Sequence, residues 1–431
     1  MRNNIKVFKF GGASVKDAVA IKNVTNILKK YKGDSILIVV SAMGKTTNAL
    51  EKVVSAYFDP KEDALGVLET VHQQHLQVAN ELLGENAEIN KKIARFVNNV
   101  KKLVQKKSSK RYGYVYDQIV SLGELLSTTI VAAYLNHKGQ STHWLDARKM
   151  VKADNTYREG NINWEATQKN VSRNVIKLLD KNGFVLTQGF IGSSKENATI
   201  TLGREGSDFT AAIFSFCLDA ESMSIWKDVP GILTGDPRLF KKVDKIDRLS
   251  YKEAIEMTYY GAKVIHPKTI KPLQNKNIPM YVKSFVEPEG EGTFIGSDVD
   301  ALYPPVVVVE KNQVMLQIST KDFSFVAEHH LSDIFKLFTK YRTKVNMMQN
   351  MAISFSVCVT KKDMDRLSQL IEDLKNEFNV VIEKDLELIT IRHYHKSVID
   401  QMKRQKIVLL EERIRQTIQM VVKDVPVLER K

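Results

Sequence analysis

Residues 5–15 have the sequence Ile5-Lys6-Val7-Phe8-Lys9-Phe10-Gly11-Gly12-Ala13-Ser14-Val15, and the interpretation of the whole chain starts from this stretch. An apolar strand ends at two glycines and a serine, and a helical pattern follows over residues 15–31. A glycine turn between a strand and a helix leaves backbone N–H groups that can bind an anion. Lys9 adds a cation beside them. We interpret this turn as a site for the phosphates of ATP, with an ordinary strand-to-helix turn as the alternative.

Length and composition set the class of protein. A chain of 431 residues is long enough for two to four domains. Its 43% hydrophobic and 26% charged residues are ordinary for a globular protein. The net charge of +14 is partly concentrated on a helical pattern within residues 91–111. We interpret these lysines and arginines as a solvated helix face rather than a nucleic-acid surface, because no recognition motif or interleaved aromatic residue accompanies them.

Cysteine use and hydropathy indicate the compartment. Cys217 and Cys358 lie in apolar strings without a CxxC partner, which indicates core packing in a reducing compartment. The sequence begins directly with a strand pattern and contains no signal-peptide core. No stretch approaches the ~18 apolar residues of a membrane span. We therefore expect a soluble, cytoplasmic protein without a membrane or nucleic-acid partner.

A second apolar run, at residues 35–42, is of the kind found in parallel strands that are buried on both faces. It continues into Ser41-Ala42-Met43-Gly44-Lys45-Thr46-Thr47-Asn48, whose small and hydroxyl side chains suit a site at the carboxyl edge of a sheet. Gly44-Lys45-Thr46 imitates the end of a P-loop, but Val39 stands where that motif needs its first glycine. We therefore reject a P-loop here.

Residues 61–111 are polar and helical by pattern, and we expect an inserted pair of helices. His72 and His75 lie three residues apart there, but no cysteine or second acidic partner shares their face, so we predict no metal site. An amphipathic helix follows over residues 117–134, with Glu124 on its more apolar side. Burying a carboxylate alone is costly, so we expect Glu124 to be paired or functional.

The stretch at residues 199–212 is the second informative one. A strand runs into Gly203-Arg204-Glu205-Gly206, Ser207 caps a helix, and Asp208 lies in its first turn. Arg204 can bind a carboxylate through two parallel hydrogen bonds, and the helix start adds free N–H groups. The pattern suits a small acidic substrate, with a capped helix and a surface arginine as the alternative.

The rest of the chain indicates a nucleotide-covering segment and a change of domain. The strand and loop at residues 223–238 are typical of segments that cover a nucleotide base, and Lys263 is a second candidate cation for phosphate. Residues 287–296 and Pro304-Pro305 mark a boundary, after which one βαββαβ unit is followed by a second that lacks its last helix and strand. We expect a first domain over residues 1–300, a linker over 301–311, a complete α+β unit over 312–384 and a partial one over 385–431.

Seven motifs carry a family resemblance. They are Lys-Phe-Gly-Gly-Ala-Ser-Val from Lys9, Ser-Leu-Gly-Glu from Ser121, Thr-Gln-Gly-Phe-Ile-Gly from Thr187, Thr-Leu-Gly-Arg-Glu-Gly-Ser-Asp from Thr201, Trp-Lys-Asp-Val-Pro-Gly-Ile from Trp226, Asp-Pro-Arg from Asp236 and Gly-Ala-Lys-Val-Ile-His-Pro from Gly261. In this order and spacing the chain resembles the aspartate kinases of the amino acid kinase family, with ACT-type regulatory modules at the C-terminus. The resemblance implies an α/β fold with an open, mainly parallel sheet flanked by helices, followed by α+β ferredoxin-like ACT modules. No homoserine dehydrogenase segment follows, so we expect a monofunctional enzyme.

The resemblance implies transfer of the ATP γ-phosphoryl group to the side-chain carboxylate of L-aspartate, giving 4-phospho-L-aspartate, the first step toward lysine, threonine and methionine. Such a transfer depends on alignment and charge neutralisation rather than on a covalent enzyme intermediate. Lys9 would neutralise the moving phosphoryl group, and Asp208 would orient Lys9. Mg²⁺ would lie largely on the ATP phosphates.

The same resemblance implies the binding residues. Arg204 would bind a carboxylate of aspartate and Glu124 its ammonium group, and Thr47, Ser207 and Phe190 would complete the substrate site. The nucleotide-binding residues would be Lys9, Gly11, Gly12, Ser14, Ser41, Lys227, Asp228, Leu233, Arg238 and Lys263, with Gly11, Gly12 and Ser14 acting through backbone N–H groups.

Several residues depart from the family pattern. Ala13 stands where Thr is usual, Glu205 replaces a glycine, Leu122 replaces an aromatic residue or His, and Lys227 replaces Thr. Asn346 stands where lysine-sensitive relatives commonly have Asp, which removes the charge that would bind the ammonium group of the effector. The amino-acid effector of the ACT modules therefore stays open. Because ACT modules generally pair side by side, we expect a homodimer through this region.

Two other functions stay open. One is a kinase for glutamate or N-acetylglutamate, although an N-acetylated substrate would have no ammonium group for Glu124. The other is a non-catalytic amino-acid sensor that binds its ligand through the C-terminal half and does not turn over ATP. The intact set of Lys9, Glu124, Arg204, Asp208 and Lys263 argues against a sensor.

Overall fold

The computed structural model describes residues 3–425 apart from residues 60, 107–110, 263–264, 298, 300–301, 323 and 362. The chain divides into two compact units. The first comprises Met1–Ile232, Lys245–Tyr259 and Lys263–Ala301, and the second comprises Leu233–Asp244, Tyr260–Ala262 and Leu302–Lys431.

Strands and helices alternate in the first part of the chain. The strands are β1 (Asn3–Phe10), β2 (Ser35–Val40), β3 (Thr142–Leu145), β4 (Phe184–Gln188), β5 (Ile191–Ser193), β6 (Thr199–Thr201), β7 (Ala220–Lys227), β8 (Ile232–Leu233), β9 (Lys245–Ile246), β10 (Arg248–Ser250), β11 (Met280–Ser284) and β12 (Thr293–Gly296). The helices are α1 (Ala18–Lys29), α2 (Thr46–Phe58), α3 (Ala64–Leu83), α4 (Ala87–Lys106), α5 (Tyr112–Val120), α6 (Leu122–His137), α7 (Ala147–Met150), α8 (Trp164–Asn182), α9 (Gly206–Cys217), α10 (Tyr251–Tyr259) and α11 (Pro267–Asn275).

The first unit is built on an eight-stranded sheet in the order β10-β12-β11-β7-β1-β2-β4-β3. Its strand pairs are parallel except for β11 with β12. The apolar runs of β1 and β2 therefore lie at the centre, where both faces of a strand are covered. This confirms the open, mainly parallel sheet implied by the resemblance. The carboxyl ends of β7, β1, β2 and β4 meet at one edge, because Lys9 lies opposite Val39 and Ile225, and Val40 lies opposite Gln188.

Helices α3 and α4 form the helical pair expected within residues 61–111. Their apolar faces are buried at residues such as Val71, Ile93 and Val97. Most basic side chains of α4 are exposed to solvent, whereas Lys92 lies over the Trp144 ring. The expectation that no stretch approaches a membrane span was wrong, because the adjoining helices α5 and α6 span Tyr112–His137, which is long and apolar enough to cross a membrane. However, 89% of its apolar window is buried inside the structure, as in the core helix of a folded domain.

An antiparallel sheet forms the centre of the second unit, in the order β14-β15-β13-β16-β18-β17. Its strands are β13 (Val306–Thr320), β14 (Val345–Asn350), β15 (Ser354–Thr360), β16 (Phe378–Arg392), β17 (Lys406–Ile414) and β18 (Thr417–Asp424), and its helices are α12 (Glu328–Lys340), α13 (Met364–Glu377) and α14 (Lys396–Lys403). Leu316 packs with Phe338 of α12 and Leu370 of α13, while Ile391 packs with Ile399 of α14. This α+β arrangement is the ACT-type fold implied by the resemblance.

The long strand β13 serves both repeats of the second unit. Its C-terminal part, Gln313–Ser319, pairs with β15 of the first repeat, whereas its N-terminal part, Val306–Glu310, pairs with Leu388–Arg392 of the second. We expected residues 306–311 to belong to a linker and the second repeat to lack a strand. The structure shows instead that these residues supply a strand to the second repeat.

Candidate active site

The turn after β1 brings backbone N–H groups to the carboxyl edge of the sheet. It is a 3₁₀ helix at Gly12–Val15 that Gly11 caps. A Cβ atom on Gly12 would lie 2.8 Å from the Ala42 carbonyl oxygen, so only glycine allows this close approach to the turn after β2. The N–H groups of Gly12 and Ala13 have no acceptor among the described residues. They are therefore available to an anion.

Ser14 and Ser41 offer hydroxyl groups rather than backbone N–H groups at this edge. The Ser14 N–H donates to the Gly11 carbonyl at 3.0 Å, and the Ser41 N–H donates to the Phe10 carbonyl at 3.1 Å. The structure thus corrects the predicted use of the Ser14 N–H, which closes the 3₁₀ turn. The Ser14 hydroxyl is buried and has no partner in the part of the chain that the structure describes. It is the atom of Ser14 that remains for a ligand.

Lys9 and Asp208 form an ion pair between β1 and α9. The Lys9 Nζ atom lies 2.6 Å from Asp208 Oδ1, and the two side chains are only 11% and 6% exposed. Asp208 reaches Lys9 from the first turn of α9, which follows Gly203 and Glu205 with φ angles of 77° and 54°. The left-handed backbone at these two residues turns the chain from β6 into the helix.

The start of α2, which contains Thr47, packs closely against α6, which carries Glu124. A Cβ atom on Gly123 would lie 2.8 Å from the Ala42 Cβ atom and 3.2 Å from the Thr46 Cγ2 atom. The glycine therefore allows α6 to approach the turn after β2. Thr47 lies in the first turn of α2, and Lys45 caps this helix without a side-chain hydrogen bond. The result is a second free helix start beside that of the 3₁₀ turn.

Glu124 is a buried carboxylate with half of its hydrogen-bonding capacity unused. It is 3% exposed, and its Oε1 accepts a hydrogen bond from the Ala42 N–H at 3.2 Å. Its Oε2 has no partner among the described residues. Burial raises the pKa of Glu124 to about 8, while the Ala42 hydrogen bond acts in the opposite direction. A bound cation would satisfy the free oxygen and restore the charge.

The end of β4 lies against the start of α9, which brings Phe190 and Ser207 to the same edge. A Cβ atom on Gly189 would lie 2.6 Å from the Ser207 Cβ atom. Phe190 has a φ of 70°, and its N–H donates to the Thr210 hydroxyl at 2.9 Å. The strained backbone of Phe190 is thus held by the hydrogen bond that it donates to α9.

Arg204 lies in the turn between β6 and α9 and is exposed to solvent. It forms no ion pair with a described residue, so its guanidinium group is available to a ligand. Its neighbour Glu205 has one carboxylate oxygen that is buried without a partner in the described chain. Burial lowers the pKa of His266, while Glu205 raises it and Arg204 lowers it. Glu205 and Arg204 therefore act in opposite directions on the same imidazole.

The predicted nucleotide residues fall into three groups. Lys227 and Asp228 stand at and just after the end of β7, the neighbour of β1 at the sheet edge. Leu233 and Arg238 belong to the second unit, where the Arg238 Nη2 atom lies 2.6 Å from the Asp236 carboxylate. Lys263 lies outside the described residues.

Sequence reasoning missed Asp117, a fully buried carboxylate of α5. It accepts hydrogen bonds from Thr201 and from the Arg158 N–H. Burial raises the pKa of Asp117 to about 6, although these hydrogen bonds act to lower it. The signal in the sequence was an acidic residue on a strongly apolar helix, the same signal that identified Glu124.

Comparison with known proteins identifies the family. A family model described as the amino acid kinase family matches residues 4–284. The lysine-sensitive aspartokinase 3 of Escherichia coli is 29% identical over 398 residues, which cover 90% of this chain and 87% of that protein. The chloroplastic aspartokinase 1 of Arabidopsis thaliana is 32% identical over 396 residues, covering 89% of this chain and 68% of that protein.

Solved structures agree with the sequence matches. The crystal structure of E. coli aspartokinase III in complex with aspartate and ADP matches with a TM-score of 0.79 and 26% identity. The match covers 97% of this chain and 96% of that one. The sheet edge that joins Lys9 to Asp208 is therefore part of a shared fold, and the chain belongs to the amino acid kinase family, within its aspartokinase branch.

Proposed function

We infer that this chain transfers the γ-phosphoryl group of ATP to the side-chain carboxylate of L-aspartate, giving 4-phospho-L-aspartate and ADP. The observation that carries this function is the buried Lys9–Asp208 ion pair, at an edge where the 3₁₀ turn leaves the N–H groups of Gly12 and Ala13 without an acceptor among the described residues. The family membership supports it, and an aspartokinase of the same fold binds aspartate and ADP.

Lys9 would act on the phosphoryl group during transfer. A carboxylate oxygen of aspartate forms the new P–O bond, and the bond to the β–γ bridging oxygen breaks as ADP leaves. The negative charge on the moving group is stabilised by the Lys9 ammonium and by the N–H groups of Gly11 and Gly12. Asp208 would hold Lys9 in place, because an ion pair with little exposure restricts both side chains.

Glu124 and Arg204 would recognise the two ends of aspartate. The unpartnered Oε2 of Glu124 would accept hydrogen bonds from the ammonium group, which supplies the missing cation. Arg204 would bind the α-carboxylate through parallel N–H donors. Thr47, Ser207 and Phe190 would line the space between them.

The remaining contacts would belong to the nucleotide. The hydroxyls of Ser14 and Ser41 would bind phosphate oxygens, and Lys227, Asp228 and Lys263 would complete the nucleotide site. No three acidic, histidine or cysteine side chains of the described chain cluster in a way that could hold a metal ion. Mg²⁺ would enter with ATP as part of the substrate, because it prefers phosphate oxygens and water as ligands.

The ACT modules would form a homodimer that responds to an amino acid. The edge strand β14 and its neighbourhood expose Met348, Met351 and Ile353, a partial apolar surface at an unpaired sheet edge. The effector stays open, because the Asn346 amide donates to Gln313 and Thr360 and carries no charge. A measured molecular mass of a monomer at micromolar protein concentration would argue against the dimer.

We place the enzyme in the cytoplasm, because both of its buried cysteines are free thiols. Its reaction would stand at the start of the lysine, threonine and methionine pathways.

A substrate comparison tests this function. Purified protein with MgATP is assayed for acyl phosphate by hydroxylamine trapping, with aspartate, glutamate and N-acetylglutamate in parallel. We expect the hydroxamate product with aspartate alone. A preference for N-acetylglutamate would indicate the other kinase reaction, and amino-acid binding without any ATP turnover would indicate a sensor.

A further inference from the structure

Two consecutive residues of α5 hold the strand that leads to Arg204. This strand, β6, belongs to a two-stranded sheet, so it pairs with β5 along one edge alone. Gln118 bonds to the backbone of Thr199 in both directions. Its Nε2 donates to the Thr199 carbonyl at 2.8 Å, and its Oε1 accepts from the Thr199 N–H at 3.3 Å. Side chains of a helix thus take the place of a neighbouring strand.

Asp117 continues this contact at the end of β6. Its Oδ2 accepts from the Thr201 N–H at 3.0 Å, and its Oδ1 accepts from the Thr201 hydroxyl at 2.7 Å. The Arg158 N–H donates to both oxygens at 3.1 and 3.2 Å. Asp117 and Thr201 are each 0% exposed, so water does not compete for these hydrogen bonds.

The same carboxylate supports the turn that contains Arg204. Arg158 has a φ of 73°, a left-handed conformation in which its N–H points to Asp117. A Cβ atom on Gly203 would lie 3.3 Å from the Arg158 carbonyl oxygen, so the Arg158 backbone packs directly against this turn. Asp117 therefore holds the strand that enters the turn and the backbone that packs against it.

The helix that bears Asp117 also leads to Glu124. Ser121, between α5 and α6, keeps helical angles of φ −59° and ψ −16°, so the helical path is nearly continuous. Residues seven apart lie on the same face of a helix, two turns from each other. One helical face therefore carries the carboxylate that would bind the substrate ammonium and the carboxylate that fixes the arginine turn.

We propose that Asp117, with Thr201 as its partner, is a positioning residue that sets the separation between Arg204 and Glu124 and so determines how tightly aspartate binds. The proposal rests on the proposed function, because it assumes that these two residues bind the carboxylate and the ammonium group of aspartate. Asp117 itself does not touch the substrate in this account. Its effect should appear in the KM for aspartate and not in the KM for ATP.

The first test removes the hydrogen bond from the Thr201 hydroxyl to Asp117, the shortest that this carboxylate accepts, while it keeps the volume of the Thr201 side chain. Thr201→Val should raise the KM for aspartate about five- to tenfold, because a hydrogen bond to a charged group is lost, with the KM for ATP and kcat within about twofold. Thr201→Ser retains the hydroxyl and should restore wild-type values. Thr25→Val is the matched control, since Thr25 is also buried but donates to the Ile21 carbonyl within α1. An unchanged KM for aspartate in folded Thr201→Val would overturn the proposal.

A double-mutant cycle tests whether the effect passes through Arg204. In an Arg204→Ala background, Thr201→Val should raise the KM for aspartate by less than about twofold, because coupled residues are not additive. Independent, multiplicative effects of the two substitutions on the KM for aspartate would refute the positioning role.

Asp117→Asn probes the same contact from the other side, because it replaces one acceptor oxygen with a donor. This variant should raise the KM for aspartate at least as much as Thr201→Val does. If Arg204→Ala alone leaves the KM for aspartate at the wild-type value, the proposed site fails first, and the positioning role fails with it.

Discussion

The ammonium nitrogen of Lys9 lies 2.6 Å from the Asp208 carboxylate, which joins the central strand β1 to the first turn of α9. Both side chains are largely buried, so water screens this pair weakly. The pair fixes a positive charge at the sheet edge where free N–H groups also gather. ATP and aspartate are both anions, so such a concentration of positive groups is what their reaction requires.

We predict that Lys9→Met lowers kcat about 10²- to 10³-fold, because the charge on the moving phosphoryl group loses its stabilising cation. The fold should persist, with a loss of about 3–5 kcal/mol in the free energy of unfolding, because Asp208 stays buried without its partner. Steady-state kinetics and urea unfolding measure the two effects. Lys6→Met on the same strand is the control, since Lys6 pairs with Asp34 at a more exposed site, and its kcat should not change. Wild-type turnover in Lys9→Met would refute the assigned role.

Glu124 should give the enzyme a pH dependence in aspartate binding. Burial raises its pKa to about 8 in the free protein, so the carboxylate is ionised above that pH and neutral below it. We predict that kcat/KM for aspartate rises about tenfold per pH unit from pH 6.5 and levels off above about pH 8. At saturating aspartate the bound ammonium keeps Glu124 ionised, so kcat should lack this step.

Glu124→Gln provides the control for this pH profile. The variant should have a much lower kcat/KM for aspartate and no rise between about pH 6.5 and pH 8, because the amide does not titrate in that range. A wild-type profile that is flat across pH 8, or one that is unchanged in Glu124→Gln, would contradict the role of this carboxylate.

The parts of the fold that depend on local pattern could be predicted from the sequence. The apolar runs of β1 and β2 and the glycine turn after β1 were predicted, because buried strands and glycine turns leave a local signature. The position of Asp208 in the first turn of α9 was also predicted, but the cap of this helix was wrong: Glu205 caps it without a side-chain hydrogen bond, and Ser207 lies inside the helix. That the Asp208 carboxylate reaches Lys9 came from the family resemblance, since no local pattern joins residues so distant in sequence.

Other features depend on contacts between distant segments and were missed. Asp117 has no motif of its own, and its importance comes from Thr201 and Arg158, which fold onto it. Residues 306–310 follow a pair of prolines and were assigned to a linker, although they pair with β16. The Ser14 N–H was predicted to bind phosphate, but the turn is 3₁₀ and this N–H donates to the Gly11 carbonyl. Strand register and hydrogen bonds between distant segments leave no periodic pattern in the sequence, so they could not be predicted from it.

Gly123 should tolerate no side chain, because its added Cβ would lie 2.8 Å from the Ala42 Cβ atom. We predict that Gly123→Ala lowers the free energy of unfolding by about 1–3 kcal/mol through overpacking and raises the KM for aspartate by displacing Glu124. Thermal or urea unfolding and steady-state kinetics measure both effects. Gly290→Ala is the control, since its Cβ would meet only a carbonyl oxygen at 3.4 Å on an exposed loop. If Gly123→Ala is as stable and active as Gly290→Ala, the packing argument is wrong.

Lysine should be a weak effector of this enzyme. The Asn346 amide nitrogen donates to Gln313 at 2.9 Å and to Thr360 at 2.7 Å, so this position offers an ammonium group no carboxylate. We predict that millimolar lysine leaves the aspartate-dependent rate unchanged, with threonine and methionine assayed in parallel to find the true effector. Strong inhibition by lysine would show that another group supplies the missing charge.

The central claim is that one site, with Lys9 at its centre, brings ATP and aspartate together for direct transfer. Phosphorus NMR of the wild-type reaction with MgATP and aspartate measures this most directly. The account predicts an acyl phosphate signal that grows in equal amount with ADP and is absent from Lys9→Met under the same conditions. ADP that forms without acyl phosphate, or an equal signal from Lys9→Met, would contradict it.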